Sequence, residues 1–164
     1  MKRLNLWQQY EIVNNIDTDS ISPSLHFEKG IDSRLRLEII ALFRWLRKTY
    51  IFPEKLHVYL VDSYKIRLMN GIMAYGSFKY FDNSSPRIKV PIKLTDDDLF
   101  NLYNSFDSVM SSIIHELTHY YQYESDISFD MFDSISERQA NYYRYRILDK
   151  FYRSTGRTDY YLFE

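Results

Sequence analysis

Residues 107–124, DSVMSSIIHELTHYYQYE, decide how the chain is read. Val109, Ile113 and Leu117 recur every fourth position and make the apolar stripe of an amphipathic helix. The same helix carries His115-Glu116-Leu117-Thr118-His119. Side chains four apart stand one turn above each other on one face, so the two imidazoles can reach a single ion. Glu116, one step round, is placed to reach a water on that ion and act as general base. Half of the chain's four histidines lie in this pentapeptide, which favours a metal site over a chance pair of surface or hydrogen-bonded histidines.

A catalytic zinc site takes three protein donors and leaves the fourth position to water. The chain has no cysteine, and no histidine follows His119. Gln122 and Ser125 stand where an extended motif would place its glycine and third histidine. The third donor is therefore expected to be acidic. Glu137 is the leading candidate, because it opens a predicted helix over 134–154 after a loop, 125–133, short enough to fold that helix back on the first. Asn141, one turn on, is expected to bond the free nitrogen of a ligating histidine. A second reading of Glu137 competes. Ser134-Ile135-Ser136-Glu137 fits a capping box, in which Glu137 accepts from the Ser134 N–H and either Asp130 or Asp133 becomes the ligand.

Outward from this helix, Leu35, Ile39, Leu42, Phe43 and Leu46 predict an amphipathic helix over 32–50, capped by Asp32 or Ser33 and stopped before Pro53. Strands are predicted at 56–61, 72–81 and 87–92. Asn70-Gly71 is a hairpin signal that would pair 66–69 with the second of them, in which Gly76 suggests a bulge or the close approach of another backbone. Pro91 lacks an N–H and so marks 87–92 as an edge strand. A short helix is expected after Thr95-Asp96-Asp97-Asp98, and Gly156 sits where the last helix would be capped. Residues 1–31 read as a wrapping segment with one short strand near 10–13. The order of elements is that of an α+β fold, with a single domain over 1–164.

Composition narrows the partners. With 21 basic and 22 acidic side chains the formal charge is −1, so no overall field draws the chain to nucleic acid or to an anionic membrane. The local clusters Arg44, Arg47, Lys48 and Arg138, Arg144, Arg146 read as solvated helix faces. His26 and His57 read as structural or exposed. Gln8, Gln9, Glu11, Asn14 and Asn15 interrupt any apolar run behind Met1-Lys2-Arg3, so neither a secretory signal nor a membrane span is expected, and a cytoplasmic location follows.

The block 75–147 resembles the zincin metallopeptidases and, within them, the gluzincins, which pair two motif histidines with a glutamate on the following helix. The small single-domain members, the minigluzincins and the ImmA/IrrE-like peptidases of phages and bacteria, are the most similar. His115–His119, the helix start Glu137-Arg138-Gln139-Ala140-Asn141 and the strand 87–92 carry the resemblance. Asn141 departs from the aspartate of larger gluzincins. The resemblance implies an N-terminal helix, a small twisted mixed sheet with an exposed edge strand, an active-site helix and a C-terminal glutamate helix. It implies one zinc ion per chain and a protein or peptide substrate laid along Arg87, Ile88, Lys89 and Val90 by β-augmentation. Tyr142, Tyr145 or Tyr75 would then donate to the oxyanion. The competing function is a metal-stabilised regulatory or partner-binding protein; a retired enzyme could lose Glu116, and here it is present.

Overall fold

Leu35, Ile39, Leu42, Phe43 and Leu46 are all buried along one side of α1 (Ser33–Thr49). Asp32 caps this helix by accepting from the N–H groups of Arg34 and Leu35. The computed structural model describes residues 5–13, 19–81, 83–100, 102–125 and 134–157. Around α1 lie β1 (Ser24–Phe27), β2 (His57–Val61), β3 (Ile66–Arg67), β4 (Met73–Ala74), β5 (Ser77–Phe81) and β6 (Ser84–Pro91). Three further helices follow: α2 (Asp96–Phe100), α3 (Leu102–Glu124) and α4 (Ser134–Ser154). The fold is α+β. No helix among the described residues is long and apolar enough to cross a membrane.

The main sheet has four strands in the order β1-β2-β6-β5. β1, β2 and β6 run parallel, and β5 returns antiparallel to β6, so the sheet is mixed. Val58, Leu60, Ile88 and Val90 are buried, whereas Arg87 and Lys89 point the other way and are exposed. This alternation sets one sheet face on the helices and the other in solvent. The inward face joins α1, α3 and α4 in one cluster that includes Leu42, Phe78, Ile113, Leu117 and Phe151.

Two expectations about the sheet need correction. Residues 87–92 were expected at an edge, but β6 lies between β2 and β5, so Arg87, Ile88, Lys89 and Val90 are interior to the sheet. Pro91 is tolerated there because the β5 ladder stops at the Ser77–Lys89 pair, before a partner would need its N–H. The exposed edges are β1 and β5. The predicted strand over 72–81 is divided at Tyr75–Gly76: Met73–Ala74 pairs with Ile66–Arg67 as the small hairpin that Asn70-Gly71 foretold, and Ser77–Phe81 joins the main sheet. The irregularity in β5 falls between Lys79 and Phe81, not at Gly76.

The N-terminal segment also differs from its reading. A 3-10 turn, Trp7–Tyr10, precedes a single bridge from Glu11 to Tyr50, and the regular strand of the segment is β1. Trp7 is buried and donates its indole N–H to Thr118 Oγ1 at 3.1 Å. The segment thus braces the back of α3 directly behind the histidine motif. α3 itself begins at Leu102, earlier than the 107 start expected, whereas α4 matches its predicted span. Gly156, at φ +75°, lets the Arg157 N–H close back onto the Tyr152 carbonyl at 2.8 Å and ends the helix.

Candidate metal centre

α3 and α4 lie side by side, and their facing surfaces assemble the centre. On α3 the buried stripe Met110, Ile113, Ile114 and Leu117 anchors the helix, which turns His115 and His119 toward α4. Glu137, in the first turn of α4, meets both. Its Oε1 stands 2.8 Å from His119 Nε2 and its Oε2 stands 3.2 Å from His115 Nε2. One ligand atom from each residue falls within 4.8 Å of the others, so His115, His119 and Glu137 could hold a metal ion. Donors bound tetrahedrally at zinc distances sit about 3.3 Å apart, comparable with the two nitrogen–oxygen separations here. The carboxylate of Glu137 thus reaches the histidines, as the ligand reading requires. Asp130 and Asp133, the substitutes, lie outside the described residues.

The hydrogen bonds around His119 test whether the donors suit a cation. Gln122 donates its amide N–H groups to Ser136 O at 3.1 Å and to Gln139 Oε1 at 2.7 Å. Its amide oxygen is thereby turned to His119 Nδ1, 2.8 Å away, and Nδ1 must carry the proton. The lone pair of Nε2 then faces a carboxylate oxygen at 2.8 Å. Two such acceptors repel unless a proton or a cation lies between them, and a divalent ion satisfies all three groups at once. Imidazole nitrogen and carboxylate oxygen are the donor types that zinc accepts.

Charge follows the same geometry. Bonds from His115 and then His119 hold the Glu137 carboxyl far below the ordinary carboxylate range. Burial opposes charge on His119, yet the bond it donates to Glu137, the Glu116 charge and the bond it donates to Gln122 raise its affinity for a proton overall. Burial also pushes the Glu116 carboxyl upward, against the pull of His119 and His115. Glu116 is 6% exposed and packs where Gly76 leaves room, since a Cβ at position 76 would lie 2.7 Å from Glu116 Oε1. Gly76 is therefore a close approach, as its place in the sequence suggested, but the approaching group is the Glu116 side chain and not a backbone.

His115, Glu116, His119 and Glu137 open onto a cleft of about 610 Å³, bounded on the sheet side by Tyr75, Gly76 and Ser77. The strand edge beside it is β5. Of the three tyrosines expected to serve the oxyanion, Tyr75 lines this cleft; Tyr142 and Tyr145 border other hollows on α4 and lie under Arg146 and Arg144. Asn141 is exposed and does not line the cleft. The bond expected of it goes to Gln122 in the case of His119, and His115 Nδ1 has no hydrogen-bond partner among the described residues. Arg144 is not on a solvated face: it lines the cleft and donates from Nη2 to Ser111 Oγ at 3.0 Å. His26 and His57 form an exposed hydrogen-bonded pair across β1 and β2, at 3.0 Å.

Sequence reasoning missed the roles of Gln122, buried behind His119, and of Arg144 in the cleft wall. Arg144 was detectable, because seven residues after Glu137 is two turns along the same helix face. Gln122 is expected to matter through His119: Gln122→Ala should lower metal affinity by roughly 10- to 100-fold, while Gln122→Glu, which keeps an acceptor for Nδ1–H, should lose less. Competition with a chromophoric chelator measures both, and an alanine variant within about twofold of wild type would remove Gln122 from the site.

Comparison with family models, with curated proteins and with solved structures finds no match to this chain.

Proposed function

We propose that the chain is a zinc-dependent endopeptidase of zincin-like, gluzincin type. The observation that carries the reading is the convergence of His115 Nε2, His119 Nε2 and the Glu137 carboxylate at the wall of a cleft, with the buried Glu116 carboxylate beside them. His115, His119 and Glu137 would hold the zinc ion, which would supply a Lewis acid and lower the pKa of a water in the cleft.

The chain's own residues do the rest. Glu116 is not one of the three donors, so its carboxylate is free to accept a proton from the attacking water and pass it to the leaving amine. Gln122 fixes the tautomer of His119 and keeps its Nε2 lone pair on the donor side. An extended peptide pairs with the open edge of β5, which replaces Arg87–Val90 as the strand for β-augmentation. Ser77, at the cleft end of β5, sets the register, and the missing side chain at Gly76 leaves Glu116 its position. Tyr75 and Arg144 are donors in the cleft wall available to a developing oxyanion.

Incubation with a mixed pool of unstructured peptides tests the reading. Cleavage that disappears after chelation and returns with stoichiometric zinc is the expected result. A fully zinc-loaded chain that leaves the whole pool intact would contradict it.

A further inference from the structure

The cleft continues past the metal donors. Tyr75, Ser108 and Ser112 line both it and an adjoining hollow of about 330 Å³. Lys65 and Lys93 border that hollow, over a floor of serines from α3 that includes Ser105. The two ammonium groups lie over rings: Lys65 Nζ is 5.5 Å from the Tyr75 centroid and Lys93 Nζ is 5.0 Å from that of Tyr64. Arg144 enters the cleft from α4, with its Nε buried and without a hydrogen-bond partner among the described residues. Two lysines at the hollow and one arginine in the adjoining cleft therefore line surfaces that meet at Tyr75, Ser108 and Ser112.

The carboxylates that share these walls are engaged by the protein: Glu116 and Glu137 lie at the metal donors, where Arg144 also acts on the Glu116 charge. Asp98 borders the hollow, but its Oδ2 accepts from the Thr95 N–H at 2.6 Å and its Oδ1 accepts from Ser105 Oγ at 3.1 Å. Its side chain is committed to capping α2 and tethering α3. An entering carboxylate would meet Lys65, Lys93 and Arg144 together with the exposed Ser108 hydroxyl. The chain as a whole carries a formal charge of −1, so this cation group is a local arrangement and not a reflection of bulk charge.

We propose that this end of the cleft selects acidic side chains: the half of a bound peptide that leaves β5 past Tyr75 carries Asp or Glu. The inference rests on the peptide-binding reading of the cleft and adds to it the class of substrate. Lysine in the same half of the peptide is rejected, because it would bring like charge against all three cations.

Zinc-loaded Glu116→Gln protein, which retains the cleft, is titrated with three fluorescent host peptides of Ala and Ser that differ in carrying two Glu, two Gln or two Lys. Fluorescence anisotropy at low salt should find the Glu peptide bound roughly tenfold tighter than the Gln peptide, with the Lys peptide weaker than both, as two or three partly exposed ion pairs allow. The double variant Lys65→Glu/Lys93→Glu, both changes being at exposed positions, should invert that order. Equal binding of the Glu and Gln peptides, an order that survives charge reversal, or no binding of any peptide would overturn the proposal. A wild-type chain that binds with the Glu preference yet cuts nothing would leave the proposal standing and overturn the peptidase reading instead.

Discussion

Glu116→Gln keeps the fold and the bound metal and lowers peptide cleavage by about 10²- to 10⁴-fold, the range that a general base contributes. Gln has almost the volume of Glu, so the tight fit against Gly76 is preserved. The three residues that could hold the ion, His115, His119 and Glu137, are untouched. What is lost is the ability to accept a proton from water. Initial rates on a peptide the wild type cleaves, measured alongside zinc content, separate the effects. A variant that cuts at a rate similar to wild type would remove Glu116 from the reaction.

Glu137→Gln produces the largest loss of zinc affinity expected of any conservative change in the chain. The amide cannot supply the negative charge that both imidazoles face at 2.8 and 3.2 Å, and it is a poor zinc donor. The loss should exceed the roughly 10- to 100-fold typical of residues that act through a ligand. Thermal stability of the metal-free form should change little if position 137 also serves the helix start, since Gln is a good capping-box residue. Chelator competition and melting of the apo protein read the two consequences separately. Unaltered zinc affinity would return the third ligand to Asp130 or Asp133 and leave Glu137 as a cap.

The sequence was most informative where one local pattern determines the outcome. Helical spacing alone brings His115 and His119 to one face and sets the apolar stripe that orients α3. α4 was legible from Ser134 to Ser154 because Gly156 closes it by its own backbone conformation. Strand order was less legible, since it depends on partners far along the chain. Pro91 reports a missing N–H, but whether a neighbour needs that N–H depends on where β5 stops. β1 escaped notice because four residues after Pro23 carry too little periodicity, and its identity comes from pairing with β2. Gln122 shows the same limit at the centre itself. Its amide is oriented by Ser136 and Gln139 on α4, so its bond to His119 exists only once the two helices have packed. Asn141 had the helical spacing for that bond but lies on the exposed side of α4.

Zinc per chain in the wild type and in His119→Ala, measured by elemental analysis after exhaustive dialysis, tests the central claim most directly. His119 is one of the three residues that could hold the ion, and Gln122 holds it in the tautomer that leaves its Nε2 lone pair facing the site. The account predicts close to one zinc in the wild type and well below one in the variant, with the fold retained by circular dichroism. A variant that holds as much zinc as the wild type would contradict it.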